Sequence, residues 1–338
     1  MAKFTEGKNR VWRLRSRPVG TIADTDLELC VEDVPAIEDG QMLVRNLYFS
    51  IDPTHRIWMS DRPQYMEPVA INDIMRDATI GEVVESKHAD YPVGTKVYGF
   101  GGLADYFVGT PGATVLYRAG ETGLPLQADL SVASLVVGLA AWYGTRKVLN
   151  PGPEDVFVVS GGAGAVGSLA GQLAKVSGAK VIGIAGGAAK CAFMKNECGF
   201  DVAIDYKGED VAAALKAAAP EGVTCYFDNV GGGITDAALA NMRNNGKVAV
   251  CGSISEYDDK WTGWQNANMI LNRRLTVQGF ICGDHAALLQ EAKAEIIKLV
   301  LDGKVKYAED IQDGLENYPS VVRMLLSGAN KGKLMIKA

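Results

Sequence analysis

The chain has 338 residues, of which 48% are hydrophobic and 22% charged, and this length and composition exclude a small single module and favour two globular domains. The net charge of −6 argues against nucleic-acid binding, which requires a concentrated basic surface. The basic segment 1–15 lacks the apolar core of a signal peptide, and no apolar run is as long as a membrane span. We therefore expect a soluble, cytoplasmic protein. Its six cysteines form no C-x-x-C pair and predict neither a disulfide framework nor a zinc lobe.

The first part of the chain is predicted to be mainly β. Between residues 27 and 115, short segments rich in β-branched and aromatic residues alternate with Gly, Pro and Asp turns. The predicted strands are 41–49, 79–86, 96–100 and 104–108. A Gly- and Pro-containing stretch at 119–125 precedes an apolar helix at 132–143, and a second breaker follows at 150–153. We place the domain boundary near residue 128.

The second part alternates strands and helices. Strand 156–159, a glycine cluster, helix 172–176 and strand 180–185 form one βαβ unit. Further strands are predicted at 202–204, 224–227, 248–251 and 275–280, with helices at 189–196, 211–218, 235–241 and 286–301. This alternation predicts an α/β fold with a doubly wound parallel sheet over 129–303. The strand–helix–strand tail 304–338 is expected to rejoin residues 1–128.

A glycine-rich motif lies between the first strand and the first helix of the βαβ unit. It satisfies G-x-G-x-x-G, in which the glycines allow a tight turn, backbone contact with a pyrophosphate, and close packing of helix on strand. Because strand, turn, helix and second strand have the required spacing, the motif predicts a Rossmann dinucleotide site. The cofactor-binding residues predicted here are Gly162, Gly164, Ala165, Val166 and Gly167.

The end of the second strand indicates which dinucleotide binds. NAD enzymes usually have an acidic residue there that binds the ribose hydroxyls. This strand ends at Gly186 and Gly187 without a carboxylate, and Lys190 follows. A missing acid with a nearby cation favours the 2′-phosphate of NADP, unless Lys190 is an ordinary solvated helix residue.

Several stretches of the sequence resemble the zinc-independent medium-chain reductases, in the group of prostaglandin, 2-alkenal and curcumin reductases. The resemblance extends over essentially the whole chain. It includes the glycine motif and the stretch that ends in Tyr257. The matching stretches are 47–53, 162–168, 171–175, 200–201, 205–207, 226–232, 251–257, 278–280 and 328–333.

The resemblance implies a Rossmann NADP-binding domain beside a GroES-like catalytic domain. It also implies reduction of the carbon–carbon double bond of an α,β-unsaturated aldehyde or ketone by NADPH, without a metal, in a homodimer. Further cofactor contacts follow from matching the motifs residue by residue. They are Gly186, Lys190, Tyr206, Asn229, Cys251, Ser253, Phe280, Cys282 and Asn330.

The catalytic candidate is Tyr257, because hydride addition at the β-carbon leaves an enolate that needs a hydrogen-bond donor. A phenol stays protonated at neutral pH. Either Tyr257 or the ribose hydroxyl of the cofactor fills this role. Many relatives have Tyr-Met where this chain has Thr54-His55, so the substrate pocket is expected to differ. Thr54, His55, Tyr257 and Cys282 are the predicted substrate-binding residues.

Two other functions are compatible with the sequence. A quinone reductase would use the same hydride delivery, and a catalytically inactive NADPH-binding regulatory protein would keep the fold without turnover. Zinc-dependent alcohol oxidation is disfavoured because segment 50–56 contains no cysteine ligand.

Overall fold

The computed structural model describes residues 7–258 and 261–338. The strands are β1 (Lys8–Leu14), β2 (Leu27–Asp33), β3 (Met42–Ser50), β4 (Thr79–Ser86), β5 (Lys96–Gly99), β6 (Tyr106–Gly109), β7 (Val115–Arg118), β8 (Val156–Ser160), β9 (Lys180–Ala185), β10 (Val202–Asp205), β11 (Val223–Asp228), β12 (Met242–Val250), β13 (Thr276–Gly279), β14 (Glu309–Asp313) and β15 (Lys333–Lys337). The α-helices are α1 (Thr54–Trp58), α2 (Ala140–Tyr143), α3 (Ala165–Val176), α4 (Ala188–Asn196), α5 (Val211–Ala218), α6 (Gly232–Asn241), α7 (Asn268–Asn272), α8 (Leu289–Leu301) and α9 (Tyr318–Leu326).

One compact unit combines residues up to Leu130 with Glu309–Asn330 and Leu334–Ala338. Its main sheet has the strand order β14-β15-β3-β4-β5-β7, and β6 pairs with β3. The pairs β3–β4, β4–β5 and β15–β3 are antiparallel, as expected where one sheet face packs on a core and the other meets solvent. The prediction that this part of the chain is mainly β-strand is confirmed.

A buried polar network lies in the core of this unit. His55 has no exposed surface, and its ring nitrogens lie 3.2 Å from the Tyr318 hydroxyl and 3.1 Å from Asp77 Oδ1. Its ring also stacks on Trp58. Buried polar groups need such partners, because an unpaired one loses its hydration without compensation. These contacts fix helix α1 to the core.

The other unit comprises Ser131–Ala308 and Lys331–Lys333. Its parallel sheet has the order β10-β9-β8-β11-β12-β13, which is the 3-2-1-4-5-6 order of a doubly wound dinucleotide fold. Apolar side chains of β8, β9 and β11 are buried against α5 and α6. The predicted α/β fold with a Rossmann sheet is confirmed.

The helix predicted at 132–143 differs from the observed one. Helical structure begins with the π-helical segment Leu135–Leu139, continues through α2 and ends with a second π-helical segment, Gly144–Leu149. Gly144 allows the close approach of Phe227, because a Cβ there would lie 2.4 Å from its ring. The chain leaves the helix at Asn150, which adopts a left-handed conformation with φ of 46°. Within 7–258 and 261–338, no helix is long and apolar enough to span a membrane.

Candidate functional site

The glycine motif forms a tight turn between β8 and α3. A Cβ at Gly162 would lie 2.6 Å from Met194 Sδ, and a Cβ at Gly167 would lie 2.3 Å from the carbonyl oxygen of Gly161. Both distances are shorter than any ordinary contact, so only glycine fits without a shift of the neighbouring atoms. Gly162 therefore packs the turn against α4, and Gly167 packs α3 against the turn.

Gly164 differs from these two glycines because its surroundings are less crowded. It is the N-cap of the 12-residue helix α3, and a Cβ added to it would have the carbonyl oxygen of Gly161 as its nearest neighbour, at 3.3 Å. The first backbone N–H groups of the helix lack partners within it, and the helix dipole is positive at this end. The turn has both the room and the donors that a pyrophosphate requires.

The carboxyl ends of β9 and β10 form a second part of this site. Asp205 accepts hydrogen bonds from the backbone N–H groups of Gly187 at 2.7 Å and Lys207 at 3.0 Å, which joins the two strand ends. Tyr206 and Lys207 lie directly over Gly186, since a Cβ at Gly186 would lie 2.9 Å from each side chain. The absence of a side chain at Gly186 thus allows both groups to reach the strand end.

Two lysines, Lys190 and Lys207, follow the ends of β9 and β10. Burial lowers the pKa of Lys190, and the positive charge of Lys207 lowers it further. An anion bound near these ammonium groups favours their charged forms. The arrangement fits a phosphate that is attached to a ribose at the strand end.

The ends of β11 and β12 carry the next predicted residues. Asn229 donates from its side chain to the Ser160 carbonyl oxygen at 2.8 Å, and its backbone N–H donates to Ser160 Oγ at 2.9 Å. Cys251 and Gly252 donate their backbone N–H groups to the carbonyl oxygen of Asp228. Burial raises the pKa of Cys251 well above that of an ordinary thiol, so it is not a reactive thiolate at neutral pH.

Tyr257 is held by the turn that follows β12. Its hydroxyl oxygen accepts a hydrogen bond from the Ser253 backbone N–H at 3.1 Å, and Gly252 leaves the space that this oxygen occupies. Because the oxygen is an acceptor in this contact, the phenolic proton stays available to another acceptor. Burial raises the pKa of Tyr257 above 10, which keeps the phenol protonated at neutral pH.

Aromatic rings line the region after β13. Phe280 is buried, with its ring 5.3 Å from that of Tyr143 and 6.3 Å from that of Phe227. His285 stacks on Tyr143 at 3.7 Å. Cys282 is partly exposed at the start of the 3-10 helix Cys282–Leu288. The Phe280 ring is inclined by 49° to the Tyr143 ring and by 81° to the Phe227 ring, so these side chains form an interlocked apolar cluster beyond β13.

Three predicted residues belong to the other unit: Thr54, His55 and Asn330. Thr54 begins α1, and its buried hydroxyl oxygen has no hydrogen-bond partner among the described residues. Asn330 is buried. Since His55 has no exposed surface and both ring nitrogens have protein partners, the structure favours a role in the core over the predicted contact with substrate.

The remaining predicted residues all lie in the Rossmann unit, at or just beyond the carboxyl ends of its parallel strands. Carboxyl ends of parallel strands meet at one edge, where doubly wound proteins bind their ligands. Within the described ranges, no three His, Cys, Asp or Glu side chains are grouped as metal ligands.

Sequence reasoning missed two residues of this edge. The role of Lys207 was not recognised because it lies in a charged, exposed loop. The run Asp205-Tyr206-Lys207 at a strand end is the sequence signal that could have identified it. Asp228 ends β11 and is almost completely buried. A carboxylate directly after a buried strand is its only sequence signal.

Comparison with known proteins identifies the class of protein. Residues 10–116 match the family model described as the N-terminal domain of oxidoreductase, and residues 165–301 match the model described as zinc-binding dehydrogenase. The NADPH-dependent curcumin reductase of Escherichia coli is 36% identical over 98% of this chain and 97% of its own length. The chain is thus a member of the medium-chain dehydrogenase/reductase family of oxidoreductases.

Two further matches narrow the group. The NADP(+)-dependent 2-alkenal reductase of Nicotiana tabacum is 36% identical over 87% of this chain and 86% of its own length. The crystal structure of CurA in complex with NADPH from Vibrio vulnificus is 34% identical and superposes with a TM-score of 0.91, covering 97% of this chain and 99% of that one. The chain belongs with the curcumin, prostaglandin and 2-alkenal reductases, which confirms the resemblance drawn from its motifs.

Proposed function

We propose that this oxidoreductase reduces the carbon–carbon double bond of α,β-unsaturated aldehydes or ketones with NADPH as the donor, without a metal. The observation that carries the proposal is the phenol of Tyr257, whose oxygen is fixed by Ser253 while its proton remains free to be donated. Tyr257 lies on the same unit as the glycine turn and the two lysines Lys190 and Lys207. The shape of the turn and the charge of the lysines fit NADPH.

The chemistry divides between the cofactor and the protein. When bound, NADPH supplies a hydride equivalent to the β-carbon of the substrate. Tyr257 donates a hydrogen bond to the carbonyl oxygen, which becomes more negative as the enolate forms, and such a donor stabilises the transition state more than the ground state. In this proposal the apolar rings of Phe280 and Tyr143, which contact each other, limit the access of water to the reacting atoms.

Cofactor choice gives the first expected result. Replacing Lys190 by Ala removes a charged partner of the 2′-phosphate, and charge-assisted hydrogen bonds contribute about 1.5–3 kcal/mol. We expect NADPH to bind roughly 10- to 100-fold more weakly while NADH binding is unchanged. Titration of cofactor fluorescence measures both. Lys195→Ala on the same helix is the matched control, since Lys195 is exposed. Equal weakening of both cofactors would contradict the assignment.

The reaction itself is tested by NADPH consumption with three substrates: a linear 2-alkenal, an aromatic enone and a quinone. We expect turnover of at least one enone, with preference for NADPH over NADH. Turnover of the quinone alone would assign the protein to the quinone reductases. Tight NADPH binding without oxidation by any of the three would favour a regulatory protein.

We also propose a homodimer that forms through β13. This strand is the edge of the Rossmann sheet, and Thr276, Gln278 and Gly279 in it are exposed. Leu271, shortly before β13, is 80% exposed. An exposed edge strand offers unpaired backbone groups, and a second copy of the same strand satisfies them by two-fold symmetry.

The dimer gives a second expected result. Leu271→Lys places a charge beside the proposed interface, so we expect a shift from dimer to monomer in sedimentation velocity at equal protein concentration. Val19→Lys is the control, because Val19 is 92% exposed on the other unit and its replacement is expected to leave the dimer intact. A monomeric unmodified protein would contradict the proposal.

A further inference from the structure

The carboxylate of Asp228 is buried and has an unusually complete set of hydrogen bonds. The side chain is 1% exposed. Thr235 Oγ1 donates to Oδ2 at 2.5 Å. The donors to Oδ1, at 2.9–3.0 Å, are the Tyr226 hydroxyl, the Ser160 hydroxyl, and the backbone N–H groups of Val230 and Gly231.

These contacts leave no surface of Asp228 for a substrate or cofactor. A buried carboxylate is costly unless donors compensate for its lost hydration, and here both oxygens are compensated. Two of the donors are backbone groups of the turn 229–232, in which Gly231 and Gly232 have positive φ angles of 75° and 55°. Glycine adopts positive φ readily, and the carboxylate fixes the turn in this one of its accessible conformations.

The turn 229–232 also holds segment 251–255, which leads to Tyr257. The Val230 carbonyl oxygen accepts from the Ser255 N–H at 3.0 Å and from Ser255 Oγ at 2.7 Å. The main-chain oxygen of Asp228 accepts from Cys251 and Gly252, at 2.8 and 3.1 Å. Together these bonds hold segment 251–255, whose Ser253 N–H orients the Tyr257 hydroxyl.

We propose that Asp228 is a positioning residue for Tyr257, acting through the turn 229–232 and the segment 251–255. The inference rests on the proposed function, because it assigns Asp228 a role only in the step that Tyr257 assists. It predicts that the two residues act as one unit in catalysis, although the donors to the Asp228 carboxylate do not include the phenol of Tyr257.

The first test compares two variants of Asp228. Asp228→Ala removes all five side-chain hydrogen bonds, and we expect kcat for enone reduction to fall toward the level of Tyr257→Phe, about 10²-fold. KM for NADPH is expected to rise by a smaller factor, because the held segments also carry the predicted cofactor contacts Asn229, Cys251 and Ser253, whereas the glycine turn and Lys190 are unaffected. Asp228→Asn keeps one acceptor oxygen for the Oδ1 donors, and its amide faces Thr235, whose hydroxyl can accept instead. We therefore expect this variant to recover most of the lost kcat.

The decisive test is a double-mutant cycle. If Asp228 acts through Tyr257, the variant that combines Asp228→Ala with Tyr257→Phe is no slower than Tyr257→Phe alone. Losses that multiply would contradict the inference. If Asp228→Ala does not fold, judged by circular dichroism, the milder Thr235→Val replaces it in the cycle, with the same expectation. A Tyr257→Phe variant with full activity would overturn the inference by moving the donor role to the ribose hydroxyl of the cofactor. Absence of enone turnover in the unmodified protein would instead refute the proposed function, so the two failures are distinguishable.

Discussion

Replacing Tyr257 by Phe is expected to lower kcat for enone reduction by about 10²-fold while the NADPH dissociation constant stays unchanged. Removal of one hydrogen-bond donor to a developing oxyanion typically has an effect of this size. The ring remains in place, and the hydrogen bond that is lost within the protein is the one from the Ser253 N–H. Steady-state kinetics and a fluorescence titration of NADPH measure the two quantities.

The pH dependence of the same reaction gives an independent check. Because burial raises the pKa of Tyr257 above 10, the phenol remains protonated through neutral pH and the rate is expected to fall only on the alkaline side of 10. Tyr91→Phe is the control for loss of a phenol, since Tyr91 packs beside Arg118 in the other unit. Unchanged kcat in Tyr257→Phe would assign the donor to the ribose hydroxyl of the cofactor.

Gly167→Ala is expected to destabilise the Rossmann unit and to weaken NADPH binding. Its Cβ would lie 2.3 Å from the Gly161 carbonyl oxygen and 2.8 Å from the Gly161 carbonyl carbon, both of which belong to the backbone. Overpacking of this kind costs about 1–3 kcal/mol. The shift of the turn also displaces the N–H groups that receive the pyrophosphate, so NADPH binding weakens as well. Urea unfolding and the cofactor titration measure the two effects.

Two glycine variants separate stability from binding. A Cβ at Gly164 meets only the Gly161 oxygen at 3.3 Å, so Gly164→Ala is expected to weaken NADPH binding with a smaller loss of stability. Gly233→Ala has nothing within 4 Å and lies in α6, where Ala is the better helix former. It is expected to leave binding intact and stability equal or higher. Equal behaviour of all three variants would contradict the packing roles assigned to the motif.

The Rossmann unit was predictable because its strands are buried on both faces and therefore read as apolar runs. The predicted strand 180–185 and helix 211–218 coincide with β9 and α5. Strand β1 was not predicted, because its basic residues obscure the alternation that buries Trp12 and Leu14. Arg10 and Arg13 are satisfied by Asp105 and Glu32, which are distant in sequence, so local patterns carry no sign of these ion pairs.

The site was predictable where a motif has its own local geometry, as in the glycine turn. Residues whose roles depend on tertiary contacts could not be predicted from the sequence. The sequence predicts that His55 contacts substrate, whereas Asp77 and Tyr318 place it in a core that is assembled from three separate segments. The role inferred for Asp228 depends on donors from β8, β11 and α6. A one-dimensional pattern does not bring such groups together.

The position of the transferred hydrogen tests the proposed reaction most directly. The protein is supplied with NADPH deuterated at the reactive carbon and with a linear 2-alkenal, and the product is analysed by NMR. We expect deuterium at the β-carbon and an intact carbonyl group. Deuterium at the carbonyl carbon, giving an unsaturated alcohol, would contradict reduction of the double bond.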